Sequence, residues 1–271
     1  MQLSNKQIKD IRALQRKKFR QETGLFVVEG EKLVEEALHS GFNVRDVYKS
    51  SEIGDECMAR ISSLSTPSPI LAVVEQNKQP EIKAFIASLL NNSNECSEEK
   101  FPLCLGLDSV KDPGNLGTII RLADWYGINA IFASEDTVEL YNPKTVQATM
   151  GAIFRTTAIY SNLAETVKEF ENAGLPVYGT FLDGTLILGN NCNQSSCNSS
   201  TNYIKKRGLV IMGSESFGIS KEIENLIPAE NKLYIPSFGK DGKMKPRKEF
   251  ATSESLNVAT ATAVICQEFR R

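Results

Sequence analysis

The chain holds a single histidine, His39, among 271 residues. It lacks the serine, acid and glycine context of a hydrolase triad, and near a helix end it reads as a surface or capping group. The six cysteines, Cys57, Cys96, Cys104, Cys192, Cys197 and Cys266, include no C-x-x-C pair. Structural zinc takes four ligands at close paired spacing, so no metal is expected. No apolar run approaches the roughly 18 residues that suggest a membrane span, and no membrane partner is expected. Residues 1–20 are rich in Lys and Arg without the apolar core of a secretory signal, which points to the cytoplasm and to reduced thiols. No G-x-G-x-x-G joins a strand to a helix, which removes a nicotinamide-dependent enzyme.

A large charge excess is missing too. The net charge of −2 argues against blanket nucleic-acid binding, although the distribution of charge outweighs its sum. Lys6, Lys9, Arg12, Arg16, Lys17, Lys18 and Arg20 form one basic cluster, opposed there only by Asp10, and Lys240, Lys243, Lys245, Arg247 and Lys248 form another. Taken alone, each fits a solvated helix face or charged loop as well as a phosphate contact.

What is present is alternation. An apolar run at 25–28 precedes Glu29-Gly30 and a helical pattern with Leu33, Val34, Ala37 and Leu38 on one face, stopped near Gly41. Strands are expected at 44–48 and at 70–74, completing a small α/β unit. Residues 91–100 are polar and aperiodic and read as a linker. The expected domains are therefore 1–95 and 101–271. In the second, strand candidates 103–107, 130–133, 177–181, 209–212 and 233–235 alternate with helical segments 115–126, 143–153, 163–173 and 255–269, the pattern of a parallel sheet in an α/β domain. Residues 189–202, mostly Asn, Ser and Cys, read as a flexible insertion.

In such a sheet, ligands bind outside the carboxyl ends of the strands. Three loops there stand out. The first, D-S-V-K-D-P-G-N-L-G-T-I-I-R-L-A, holds a turn at 112–115, with Asn115 placed to start a helix. That helix buries Leu116, Ile119, Ile120 and Ala123 and leaves Thr118 and Arg121 on another side, where Arg121 is a site candidate or a surface salt bridge. The second, G-S-E-S-F-G at 213–218, has glycines that would let backbone amides approach a ligand. Ile219 and Ser220 replace the Lys and Ser/Thr of a phosphate loop. The third leads from Pro236 to E-S-L-N-V-A-T-A-T-A, where Ser255 and Asn257 fit helix caps.

Together these loops resemble, in order, the three motifs of SpoU-type (TrmH-like) RNA 2′-O-ribose methyltransferases of the SPOUT superfamily, at 112–123, 209–218 and 233–259. The stretch F-V-V-E-G-E-K-L-V-E-E-A-L resembles that family's small RNA-binding domain, related in shape to a large-subunit ribosomal protein. The resemblance spans nearly the whole chain. It implies S-adenosylmethionine as methyl donor without a metal, RNA as substrate, with rRNA favoured and tRNA open, a homodimer, and a deep C-terminal trefoil knot that connectivity rules alone would not suggest. By position, it implies catalytic roles for Asn115, Arg121, Glu215, Ser255 and Asn257. Donor contacts fall on Gly213, Gly218, Ile235 and Leu256, largely through backbone groups.

The chain departs from the family with Asp112 where Asn is usual, Ser216 where Gly is usual, and a longer span between Pro236 and Ser255. Ser216 would be strained if its position required a positive φ. Arg121 is expected to hold RNA phosphate and developing alkoxide charge, because a guanidinium stays protonated. Glu215 is expected to position Arg121 or a neighbouring amide, with general base as the alternative, and Ser255 and Asn257 to bond the sugar or orient the loop at the helix N-terminus. The competing expectation is a non-catalytic ribosome-assembly factor that keeps the fold.

Overall fold

The apolar run beginning at Leu25 forms a strand, β1 (Leu25–Glu29), in a computed structural model that describes residues 3–91, 101–186, 207–241 and 255–270. The chain divides into two compact units, Met1–Lys78 with Asp112–Arg121 and Val138–Thr156, and Gln79–Lys111 with Leu122–Thr137 and Thr157–Arg271.

In the first unit, β1 and β2 (Val44–Lys49) flank β3 (Ile70–Glu75) in an antiparallel sheet of order β1-β3-β2. Gly30, at φ 111, turns the chain from β1 into α3 (Glu31–Leu38), a conformation that glycine adopts without a Cβ penalty. Leu33, Val34 and Ala37 are buried, whereas Leu38 is exposed, so the apolar face is one residue narrower than expected. The helix closes on His39 rather than at Gly41. The Glu35 carbonyl lies 2.8 Å from His39 Nδ1 and also accepts the His39 backbone N–H, so His39 is the capping group its context suggested.

Residues 1–20, to which the sequence pattern assigned no element, contain α1 (Asn5–Ala13) and the start of α2 (Lys17–Thr23). Ser4 and Gln7 form a reciprocal capping box at the start of α1, which satisfies two backbone donors that the helix leaves unbonded. Two further helices are α4 (Ser50–Ile53) and α5 (Asp55–Ile61). Ile8, Ile11 and Leu14 are buried with Met58, Ile61, Leu71 and Val73, leaving Lys6, Lys9, Arg12, Arg16, Lys17 and Lys18 exposed. Arg20 departs from the basic cluster. It is buried, its Nε and Nη2 donate to the Glu139 carboxylate at 3.0 and 2.5 Å, and its Nη1 donates to the Leu14 carbonyl at 2.8 Å.

Also in this unit, α8 (Pro143–Thr149) ends at Met150, where φ is 50, and Gly151, where φ is 96, before a 3-10 turn at Ala152–Phe154. The helical segment expected at 143–153 is therefore broken. A Cβ on Gly151 would overlap the Glu36 carboxylate, which pairs with Arg155.

The second unit holds a six-stranded sheet, entirely parallel, as expected for the C-terminal α/β part. Its strands are β4 (Cys104–Asp108), β5 (Ala130–Ser134), β6 (Ala158–Ser161), β7 (Val177–Leu186), β8 (Leu209–Gly213) and β9 (Lys232–Tyr234), in the order β6-β5-β4-β8-β7-β9. The edge strand β6 was not anticipated, and β7 is longer than its expected span, because the backbones of Thr180 and Thr185 both pair with Leu233 and residues 181–184 bulge out between them. Helices α6 (Ile82–Asn91) and α9 (Leu163–Asn172) bury Ile86, Val167 and Phe170 against strand residues such as Phe132 and Ile211. Gly174, at φ 72, follows α9 as expected for a helix stop. Burial pushes the Cys104 and Cys266 thiols up to about 12, which keeps them protonated and unreactive at neutral pH.

The linker at 92–100, most of the second basic cluster, the insertion at 189–202, and Cys96, Cys192 and Cys197 lie outside the described residues. A knot depends on the whole chain path, which includes 187–206 and 242–254, also outside them.

The two kinds of N-terminal cation should behave differently on mutation. Arg20→Ala strands the Glu139 carboxylate and should cost about 3 to 5 kcal/mol in urea unfolding. Lys17→Ala should stay within about 0.5 kcal/mol of wild type. Equal effects of the two changes would contradict the structural role given to Arg20.

Candidate active site

The order of the parallel sheet reverses at its centre: β5 and β6 extend from β4 to one side, and β8, β7 and β9 to the other. A crevice for ligand forms at such a reversal, outside the carboxyl ends of the two central strands. Here those ends are Asp108 of β4 and Gly213 of β8, which face each other in the last register pair.

Asp108 is buried, and a carboxylate tolerates burial only when hydrogen bonded. Its Oδ2 accepts the Ser220 N–H at 2.7 Å, which ties the loop after β8 back to the end of β4. The next residue, Ser109, has φ 60, a region that costs a non-glycine residue roughly 1 to 2 kcal/mol. A local network holds it there. Its N–H donates to Ser134 Oγ at 2.9 Å and its Oγ to Asp136 Oδ2 at 2.6 Å, while Ser134 Oγ donates to Asp136 Oδ1 at 2.6 Å. Lys111 Nζ reaches both Asp136 Oδ2 and the Asp136 carbonyl at 2.6 Å. The Lys111 hydrogen bond, followed by those from Ser109 and Ser134, holds the Asp136 carboxyl well below the usual carboxylate range.

The chain then enters α7 (Pro113–Trp125). The helix starts two residues before Asn115, because Asp112 is its cap: Asp112 Oδ1 accepts the Asn115 N–H at 2.8 Å, and Pro113 occupies the first helical position, where a missing N–H costs nothing. The exchange of Asn for Asp at 112 thus preserves a capping oxygen. Leu116, Ile119, Ile120 and Ala123 are buried, as expected, with Thr118 and Arg121 exposed. Thr118 Oγ1 donates to the Gly114 carbonyl at 2.9 Å. Arg121 is exposed and has no hydrogen-bond or ion-pair partner among the described residues.

The loop after β8 is a tight hairpin. Ser214 and Gly218 exchange backbone hydrogen bonds at 3.1 and 2.9 Å, and the Phe217 N–H donates to Ser214 Oγ at 3.2 Å. Gly213 is glycine for a reason internal to the protein, since a Cβ there would overlap the Gly218 backbone. Gly218 has φ 66, whereas Ser216 is not among the positive-φ residues. The strain considered for Ser216 is therefore absent. Glu215, Ser216 and Phe217 are exposed on this hairpin.

After β9 comes Ile235, partly exposed. Beyond the short helix α10 (Lys221–Glu224), which precedes β9, Ser255, Leu256 and Asn257 lead into α11 (Val258–Arg270). Asn257 Oδ1 accepts the N–H groups of Ala259 at 3.0 Å and Thr260 at 3.3 Å. Asn257 is thus the cap, and the helix begins three residues after the expected Ser255. Gly213 ends β8, and Glu215, Gly218 and Ile235 follow strands that end on the same edge of one parallel sheet. Asn115 and Arg121 belong to the first unit, and the other candidates to the second. Sequence reasoning passed over Asp108, Ser109 and Asp136 as functional supports. Their signal was polar residues directly after apolar strands, which a loop of any kind also shows.

Residues 102–267 match the SpoU rRNA Methylase family, and residues 5–75 the MRM3-like substrate binding domain. Over 271 residues the chain is 30% identical to the 23S rRNA (guanosine(2553)-2'-O)-methyltransferase RlmP of Bacillus subtilis, covering 98% of this chain and 96% of that protein. A solved TrmH-family protein from Porphyromonas gingivalis is 33% identical with a TM-score of 0.76, across 99% of this chain and 98% of its own. The AdoMet-bound rRNA methyltransferase from Sinorhizobium meliloti is 27% identical with a TM-score of 0.76, across 100% and 97%.

The Asp136 network makes a pH-dependent contribution of known sign. A depressed carboxyl pKa adds stability above the ordinary aspartate value of about 3.9, and that stability is lost as pH falls from there toward the folded value. Asp136→Asn should lower Tm at pH 7, and its gap from wild type should narrow below about pH 4. A gap that stays constant from pH 7 to pH 3 in thermal unfolding would show that Asp136 carries no such linkage.

Proposed function

Because the chain belongs to the SpoU rRNA methylase family, we propose that it transfers a methyl group from S-adenosylmethionine to the ribose 2′-hydroxyl of a ribosomal RNA nucleotide. The observation that carries this reading is the likeness over 98% of the chain to an rRNA 2′-O-methyltransferase, together with the three motif loops. Division of labour follows the two family matches: residues 1–95 engage RNA and residues 101–271 carry the chemistry. A homodimer in the cytoplasm, with a knotted C-terminal domain, belongs to the same proposal. No helix among the described residues is long and apolar enough to cross a membrane.

The residues present suit the donor. Ile235, directly after β9, and Leu256, two residues before α11, leave apolar surface exposed, suited to the purine ring of the donor. Gly213 and Gly218 add backbone groups without side chains. When bound, the donor supplies a methyl already activated by its sulfonium, so the protein's task is alignment and charge stabilisation.

Arg121 is assigned that task. A planar guanidinium that stays protonated can hold an RNA phosphate and meet negative charge developing on the 2′-oxygen. Glu215, on the hairpin closed by Ser214 and Gly218, is assigned a positioning role. Asn115 and Ser255 offer polar groups to the sugar and phosphate. Asn257 orients the start of α11, and any bond from it to the ribose is a donation from its amide nitrogen.

Removing one preorganised donor to a developing oxyanion costs roughly 10² to 10³ in rate. Arg121→Ala should lose that much in single-turnover methylation of unmodified rRNA with labelled donor, while fold and donor affinity stay close to wild type. Arg121→Lys should rescue poorly, because one ammonium does not reproduce the planar fork. Retention of more than about a tenth of the wild-type rate, far above the loss expected for such a donor, would remove Arg121 from this role.

A further inference from the structure

Phe217 is the most exposed large apolar side chain among the described residues, at 91%. Single exposed apolar residues are common on protein surfaces, but this one is held by a backbone with little freedom to withdraw it. Its own N–H is bonded to Ser214 Oγ, the hairpin around it is closed by the Ser214–Gly218 pair, and the Gly218 backbone packs on Gly213. The far end of the loop is tied by the Ser220 amide to the buried Asp108 carboxylate. A rigid turn thus presents a phenyl ring to solvent two residues after Glu215, at the carboxyl edge where the sheet order reverses.

We propose that Phe217 is a stacking platform for a base of the RNA substrate beside the ribose that is methylated. This rests on the methyltransferase reading above and adds a residue that positions its substrate. Sequence-specific recognition of RNA targets loops, bulges and ends whose bases are unstacked, and proteins hold such bases by stacking them on aromatic side chains. Such stacking needs a flat ring and a fixed backbone, accepts any base because every base has a π-face, and requires no polar partner. Phe217 meets each condition: it is aromatic, it is held in place, and no polar group is needed to complete it.

The test compares Phe217→Ala, Phe217→Leu and Phe217→Trp in the full-length protein. The probe is an unmodified transcript of large-subunit rRNA, with donor binding by calorimetry and mass by sedimentation measured alongside. Phe217→Ala should weaken RNA affinity about tenfold or more. Phe217→Leu should do nearly the same despite keeping an apolar group, whereas Phe217→Trp should bind at least as well as wild type. Donor affinity and mass should not change. Full binding by the Leu variant would replace stacking with a simple apolar contact and overturn the proposal. So would loss of donor affinity, which would place the ring over the methyl donor, or a change in mass, which would place it between copies of the chain. Unchanged RNA affinity in the Ala variant would overturn it directly. Absence of methyl transfer by the wild-type protein would instead sink the functional reading, and the affinity comparison distinguishes the two failures.

Discussion

A buried carboxylate holds the working edge of the sheet together. Asp108 closes β4 opposite Gly213 of β8, and its hydrogen bond from the Ser220 amide spans 112 residues of sequence. Charge-assisted bonds of this kind are short and about twice as strong as neutral ones, and burial strengthens them further. On one side of Asp108 the backbone turns through the strained Ser109 toward the cap of α7. On the other it fixes the end of the hairpin that bears Glu215 and Phe217. The end of β4 and the end of the hairpin after β8 thus share one anchor.

The residues around that anchor are held by hydrogen bonds. Four side chains, Ser109, Lys111, Ser134 and Asp136, meet at the ends of β4 and β5 and keep a serine in a left-handed conformation. Strain of this kind persists only where its surroundings over-determine it. The hairpin after β8 follows the same logic, with Gly213 giving up a side chain so that Gly218 can lie against it.

Much of this was legible in the sequence, for physical reasons. β4 is buried at every position, so residues 103–107 read as an apolar run, and the face made by Leu116, Ile119, Ile120 and Ala123 left Arg121 outside it without any knowledge of the fold. β6 escaped notice because it is a four-residue edge strand with only alternate residues buried. α1 was hidden by its own charge, since Ile8 and Ile11 make a narrow stripe among Lys and Arg. Arg20 belongs to the same basic run, yet its partner Glu139 lies 119 residues away. Composition counts a cation but not its burial. The start of α7 was misplaced because Asp112-Pro113 read as a turn, and that of α11 because Ser255 and Asn257 both fitted a cap. The exposure of Phe217 depends on how its loop folds back, which a G-x-x-x-x-G spacing does not specify.

The central claim is that this fold methylates ribose in ribosomal RNA, and a transcriptome-scale map of 2′-O-methylation tests it without assuming a target. Total RNA from cells with the gene should carry one ribosomal 2′-O-methyl site that is missing when the gene is deleted and returns when the full-length protein is supplied. An identical map in both strains would contradict the account.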